Sequence, residues 1–163
     1  MNTAMIGSLL GTDEMVQVGF IVRDIEETKK KYAEFFGVPV PPSIEGTGGE
    51  ERFCVTKTKY KGKPSPKINA KLAFFHVGGA MDIELIEPNE EPSVWRDYLE
   101  KFGEGQQHVA FVVDSIDECV KKCEEAFGMT VVQEGYFEAG DGRYAYLAAE
   151  DTLKTVIELL ERW

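Results

Sequence analysis

The chain states one pattern twice, and this repetition limits its fold more than any other property. Residues 16–38 read VQVGFIVRDIEETKKKYAEFFGV, and residues 107–129 read QHVAFVVDSIDECVKKCEEAFGM. Val18/Val109, Phe20/Phe111, Val22/Val113, Ile25/Ile116, Glu27/Glu118, Lys30/Lys121, Lys31/Lys122, Glu34/Glu125, Phe36/Phe127 and Gly37/Gly128 are identical at one fixed spacing without a gap. A second echo pairs Ile83-Glu84-Leu85-Ile86-Glu87 with Ile157-Glu158-Leu159-Leu160-Glu161. Self-similarity of this kind marks a fold assembled from a duplicated unit.

Each copy opens with an apolar run of strand length. Val16, Val18, Phe20 and Val22 are expected on one face, with Gln17, Gly19 and Ile21 on the other. Asp24-x-x-Glu27 and Ser115-x-x-Glu118 have capping-box spacing, so each strand leads into a helix. The helices should end at Gly37 and Gly128, because a C-terminal glycine readily takes the left-handed conformation. Three strands are then expected near 51–58, 69–77 and 80–87, and again near 130–136, 143–149 and 153–161. Each unit therefore reads βαβββ. Module one covers 14–88, a linker 89–105 and module two 106–163, after an N-terminal extension over 1–13. Ser93 can cap a short linker helix, VWRDYLEKF.

Composition narrows the function. A net charge of −11 argues against a general binder of nucleic acid or anionic membranes. No run is long enough to span a bilayer. The start, MNTAMIGSLLGTDEM, lacks the basic region and apolar length of a signal peptide. Cys54, Cys119 and Cys123 form no framework spacing, which suggests reduced thiols and a cytoplasmic location. Cys119 and Cys123 read as two small apolar residues on one helix face. Against the overall acidity, Lys57, Lys59, Lys61, Lys63, Lys67 and Lys71 cluster with no acid between them. Such lysines suit either a solvated edge strand or a phosphate contact.

Four polar residues occupy matched places in the duplication: Gln17 with His108, and Glu84 with Glu158. Strand parity sets Gln17 and His108 opposite the shared apolar face. Gly19 and Ala110, two residues further on, leave room beside them. Glu84 and Glu158 are carboxylates within apolar strands, which is costly without a cation or hydrogen-bond donors. Two carboxylates, an imidazole and an amide oxygen near a pseudo-twofold axis would suit one divalent cation and leave positions open for water or substrate.

Over about residues 14–162 the chain resembles the vicinal-oxygen-chelate superfamily. That group includes glyoxalase I, methylmalonyl-CoA epimerase, extradiol dioxygenases and bleomycin-resistance proteins. The resemblance implies an α+β fold of two tandem βαβββ modules forming a curved mixed sheet around a metal cleft. It implies metal ligation by Gln17, Glu84, His108 and Glu158, with Zn, Co, Ni, Mn or Mg as candidate ions. It further implies proton transfer α to a carbonyl through a metal-stabilised enolate, with Glu158 as the first candidate base and Glu84 the second.

Within the superfamily, IELIEPNEEPSVWRDYLEKFGEGQQHVAFVVDSID is most similar to the epimerase branch. The Gln/Glu/His/Glu set instead resembles glyoxalase I. The expected activity is therefore a methylmalonyl-CoA epimerase-like reaction, with a lactoylglutathione lyase as runner-up and a non-catalytic binding protein as the different-class alternative. The stretch 70–75 lacks the extra acid of known epimerases. Ile21 and Pro88 replace the glutathione-contacting Arg and Asn of glyoxalase I. With only His76 and His108 in the chain, the two-His iron site of the dioxygenases is disfavoured. An acyl-CoA or thiol adduct is the expected substrate, with Lys57, Lys59, Lys61 and Lys71 as candidate contacts. A homodimer is the expected assembly.

Overall fold

The computed structural model describes residues 8–44, 55–79 and 81–163. Cys54, positions 51–54 of the expected 51–58 strand, Ala80 and residues 1–7 of the extension lie outside the described residues.

The first copy runs β1 (Met15–Ile21), α1 (Ile25–Phe36), β2 (Val55–Tyr60), β3 (Lys63–Pro64), β4 (Ala70–His76) and β5 (Asp82–Pro88). The linker forms α2 (Val94–Phe102). The second copy runs β6 (Gly105–Val112), α3 (Ile116–Phe127), β7 (Val131–Phe137), β8 (Gly142–Leu147), α4 (Glu150–Leu153) and β9 (Val156–Arg162). The expected caps form. Asp24 accepts from the Glu27 N–H at 2.8 Å, Ser93 from Arg96 at 3.0 Å and Ser115 from Glu118 at 3.3 Å. Gly37 and Gly128 close α1 and α3, each with φ of 68°.

The strands make one curled mixed sheet of nine, in the order β3-β2-β7-β8-β9-β6-β1-β5-β4. The two opening strands meet antiparallel at the centre, and each pairs in parallel with the closing strand of its own copy. This is the α+β arrangement of paired modules. One connection departs from two self-contained units: β2 pairs with β7 of the second copy. Val55 thereby joins the apolar cluster of the inner face, beside Tyr144 and Trp95. On the outer side of β4, Ile44 forms a bridge with Leu72.

Three apolar clusters hold the layers together. Outside the sheet, Ile25 and Ala33 of α1 pack on Val22, Phe75 and Leu85. Ile116, Cys119 and Cys123 of α3 pack on Val113, Leu147 and Leu159, with Leu9 and Leu10 against them. Cys119 and Cys123 are buried free thiols, filling the small apolar role expected of them. The third cluster fills much of the concave face. There Val94, Trp95 and Leu99 of α2 meet Ile21, Ile86, Ala110, Tyr146, Val156 and Leu160. No helix among the described residues is long and apolar enough to cross a membrane.

Candidate metal centre

Four adjacent central strands each contribute one of the matched polar residues: Glu84 from β5, Gln17 from β1, His108 from β6 and Glu158 from β9. Register explains the space between them. Gly19 pairs with both Glu84 and His108, and Ala110 pairs with both Gln17 and Glu158. The two small residues thus form the floor of the ring. All four polar side chains are buried, with exposures of 8% (Gln17), 6% (Glu84), 0% (His108) and 5% (Glu158).

The ligand-type atoms of Glu84, His108 and Glu158 all lie within 4.8 Å of one another. His108 Nε2 stands 3.4 Å from Glu84 Oε2 and 3.2 Å from Glu158 Oε2. The Gln17 amide nitrogen occupies the middle of the group. It donates to Glu84 at 2.6 Å and to Glu158 at 3.3 Å, and lies 3.4 Å from His108 Nε2. A half-turn of the amide would present its carbonyl oxygen instead.

Electrostatics show what the ring lacks. Burial, reinforced by the Glu158 charge, pushes the Glu84 carboxyl up to about 7, against the opposing pull of His108. For His108, burial alone would disfavour the charged ring. The charge and hydrogen bond of Glu158, with a bond to Glu84, override it and lift the imidazole to about 9. Protons therefore hold this cluster together, where a cation would satisfy the same oxygen and nitrogen donors. The donor set fits a divalent ion with mixed N/O preference. Tyr146 borders the ring, its phenol 5.2 Å from the His108 imidazole between centroids, and burial beside Glu158 pushes its pKa well up. Trp95 packs edge-on against Tyr146, and its buried indole N–H makes no well-formed hydrogen bond among the described residues, with the Tyr146 phenol as its polar neighbour.

Strand parity misses one participant. Simple alternation sends Gln107 to the face opposite His108, yet both are buried, at 2% and 0%. The β1–β6 register slips between Gly19 and Phe20, leaving Gln107 as the extra residue of a β-bulge. The same slip recurs between Met15 and Gln17, with Val16 as the extra residue. Val16 consequently packs into the inner cluster rather than with Val18, Phe20 and Val22, which corrects the strict alternation expected from the sequence. A bulge re-aims side chains in this way. Gln107 Oε1 lies 2.9 Å from His108 Nδ1, and Gln107 Nε2 donates to the Val94 carbonyl at 3.0 Å. Only the polar residue Gln107 at the place of Val16 could have hinted at this.

The candidate lysines lie elsewhere. Lys59 pairs with Glu134 at 2.9 Å, Lys61 with Asp97 at 3.2 Å and Lys71 with Glu87 at 2.9 Å. The Lys57 ammonium lies 5.3 Å from the Tyr136 ring centroid, beside a hollow of about 220 Å³ shared with Lys59 and Arg143. His76 is exposed and paired with Asp82, away from the ring.

The second glutamate of each closing echo also has a place. Glu87 accepts from the Ile25 N–H and Glu161 from the Ile116 N–H, both at 2.8 Å. Each closing strand thus directs one carboxylate inward to the ring and one outward to a helix N-terminus, where negative charge is favoured.

Comparison with known proteins matches this architecture. The chain is 28% identical over 95 residues to the uncharacterized protein YqjC of Bacillus subtilis, covering 58% of this chain and 66% of that protein. Methylmalonyl-CoA epimerase from Mycobacterium tuberculosis superposes with a TM-score of 0.64 at 22% identity, covering 96% of this chain and 91% of that one. A hypothetical protein from Bacillus halodurans gives 0.64 at 22% identity, over 92% and 94%. A Streptomyces coelicolor methylmalonyl-CoA epimerase variant in complex with 2-nitronate-propionyl-CoA gives 0.61 at 22%, over 91% and 96%. The family description "Glyoxalase/Bleomycin resistance protein/Dioxygenase superfamily" matches residues 16–146, which with the paired modules establishes that the chain belongs to that superfamily.

Proposed function

We propose that this chain is a divalent-metal-dependent enzyme that moves a proton at the carbon α to a carbonyl, with an activity most like methylmalonyl-CoA epimerase. The carrying observation is the convergence of Glu84, His108 and Glu158 on one buried point, with the Gln17 amide among them. Those four residues would hold the cation. When bound, it would supply Lewis-acid stabilisation of negative charge on a substrate oxygen.

The chain's own groups then divide the proton work. Glu158 is the proposed base that takes the α-proton, leaving the C–H electron pair to delocalise toward the carbonyl oxygen. Epimerisation needs a second group to return a proton to the opposite face. Glu84 is the candidate for that role, and it would have to loosen from the cation to carry the proton. The Trp95 N–H, which makes no well-formed hydrogen bond and has the Tyr146 phenol beside it, is a candidate donor to a substrate oxygen. For an acyl-CoA, Lys57 is the lysine we propose for a phosphate contact, since Lys59, Lys61 and Lys71 are engaged with acids. A homodimer and a cytoplasmic location complete the proposal. The exposed apolar Phe35 supports the first, and the buried free thiols support the second.

The runner-up, a glyoxalase I-like lyase, draws support from the ring composition but lacks the glutathione contacts at Ile21 and Pro88. Incubation in D₂O separates the two. Deuterium entering the α-carbon of methylmalonyl-CoA, with no lactoyl thioester from methylglyoxal and glutathione, supports the epimerase reading. The reverse pattern supports the lyase. Inertness to both, with no effect of EDTA or Co²⁺ on stability, supports a non-catalytic binding protein.

A further inference from the structure

Gln107 belongs to none of the roles above, yet it is buried at a bulge with every polar atom of its amide engaged. Its carbonyl oxygen faces His108 Nδ1 at 2.9 Å, and its amide nitrogen donates to the first residue of α2 at 3.0 Å. The His108 ring has two nitrogens, and Nε2 faces Glu84 and Glu158. A donor bond from Nδ1–H to Gln107 fixes the tautomer that leaves the Nε2 lone pair available to a cation. It also fixes the ring's rotation. The second bond of Gln107 reaches the segment that covers the concave face. Val94 is further held by its own N–H, which donates to the buried Gln133 at 3.0 Å. Trp95, the next residue, packs on Tyr146, and Tyr146 packs on His108.

We infer that Gln107 is a positioning residue that orients His108 for a metal ion and couples the state of that centre to helix α2. The inference rests on the proposed metal centre. Its partner at the matched position, Val16, can do neither, so the two copies of the bulge differ in this function. The coupling follows from shared atoms: a His108 ring held firmly by a metal holds the Gln107 amide, and the amide holds the start of α2.

The test compares the wild type with Gln107→Met and Gln107→Glu, using Co²⁺ as the probe. Readouts are titrated Co²⁺ affinity, the visible Co²⁺ absorption band and hydrogen exchange of the α2 amides with Co²⁺ or EDTA. Gln107→Met removes both bonds at similar volume, and a loss of about 10–100-fold in Co²⁺ affinity is expected. As a carboxylate, the side chain of Gln107→Glu keeps an acceptor for Nδ1–H but cannot donate to Val94. Affinity within about threefold of wild type is expected, since the acceptor contact of the outer shell is retained. In the wild type, Co²⁺ should slow exchange in α2, and in Gln107→Glu that slowing should vanish while binding persists. Wild-type affinity and absorption in Gln107→Met would overturn the inference and leave the metal centre standing. Equal loss of affinity in both variants, or persistent slowing in Gln107→Glu, would also overturn it. Failure of the wild type to bind Co²⁺ would overturn the metal centre itself, and this inference with it.

Discussion

Gly19 faces His108 across the β1–β6 junction so closely that a Cβ on Gly19 would stand 1.8 Å from the ring carbon Cε1. No small shift resolves such an overlap, because the His108 ring is fully buried and held at Nδ1 by Gln107. Gly19→Ala should therefore swing the imidazole out of the ring of four. Expected are a stability loss of about 1–3 kcal/mol and a fall in Co²⁺ affinity of about tenfold or more. Ala110→Gly, at the opposite corner of the floor, opens space and should retain binding. Titration of both variants with Co²⁺ alongside urea unfolding checks the contrast.

The duplication made most of this arrangement legible in the sequence. Both caps, both terminal glycines, the linker helix from Ser93 and the four matched polar positions follow from spacing and residue type alone. Two things escaped it. Alternation places residues by counting, and a bulge adds one residue without any residue type that marks it. Val16 is therefore expected on the wrong face, and Gln107 goes unnoticed. Strand partners are equally silent, because the residue pattern of a strand does not name the neighbour it pairs with. The crossing of β2 to β7 follows from packing with Tyr144 and Trp95 in the inner cluster, which no local pattern encodes.

The ring's protons set a pH dependence for the metal-free protein. Glu84 is raised from 4.5 to about 7, and His108 from 6.5 to about 9. In both cases the folded state binds protons more tightly than the unfolded chain. Their stabilisation is fully present below the unfolded values and is lost as pH rises through the folded ones. With EDTA present, the urea midpoint should decline from about pH 5 to about pH 9. Co²⁺ must displace these protons, so its affinity should rise over the same interval with proton release. Calorimetry in buffers of different ionisation enthalpy measures that release directly.

Glu161 offers a control that leaves the ring untouched. Its carboxylate caps α3 at Ile116 and receives Arg143 through Nε at 3.1 Å and Nη2 at 2.8 Å. Glu87 performs the matching task for α1, with Lys71 in place of Arg143. Glu161→Ala should cost about 1–3 kcal/mol in chemical unfolding, through an unsatisfied helix N–H and a lost charge-assisted pair. Glu87→Ala should cost less, because the Lys71 ammonium meets Glu87 at one 2.9 Å contact where Arg143 meets Glu161 through two nitrogens, and Lys71 is 41% exposed, against 22% for Arg143. Both variants should bind Co²⁺ as the wild type does.

The apolar surface at the end of α1 carries a prediction about assembly. Phe35 is 82% exposed, and Val38, Val40 and Ile44 are each close to half exposed. With Phe36 and Phe75 they lie in or beside a hollow of about 530 Å³. An exposed apolar patch of this kind favours self-association. Sedimentation should give a dimer for the wild type. Phe35→Asp should shift it toward monomer with little change in the thermal midpoint, since Phe35 contributes little to the packed interior.

Glu158→Gln tests the centre most directly, because Glu158 acts on both neighbours. Its charge helps hold the Glu84 carboxyl up and, with its hydrogen bond, lifts His108. The neutral amide removes both influences at almost constant shape. The metal-free variant should therefore show a flatter decline of stability between about pH 5 and about pH 9 than the wild type. The variant also loses a carboxylate donor, so its Co²⁺ affinity should fall by more than the roughly 10–100-fold typical of changes outside the ligand set. Deuterium incorporation from D₂O into methylmalonyl-CoA should disappear with it, while Glu161→Ala retains it. A Glu158→Gln protein that keeps wild-type Co²⁺ binding and exchange would remove Glu158 from both proposed roles. The centre would then have to work through Glu84 and His108.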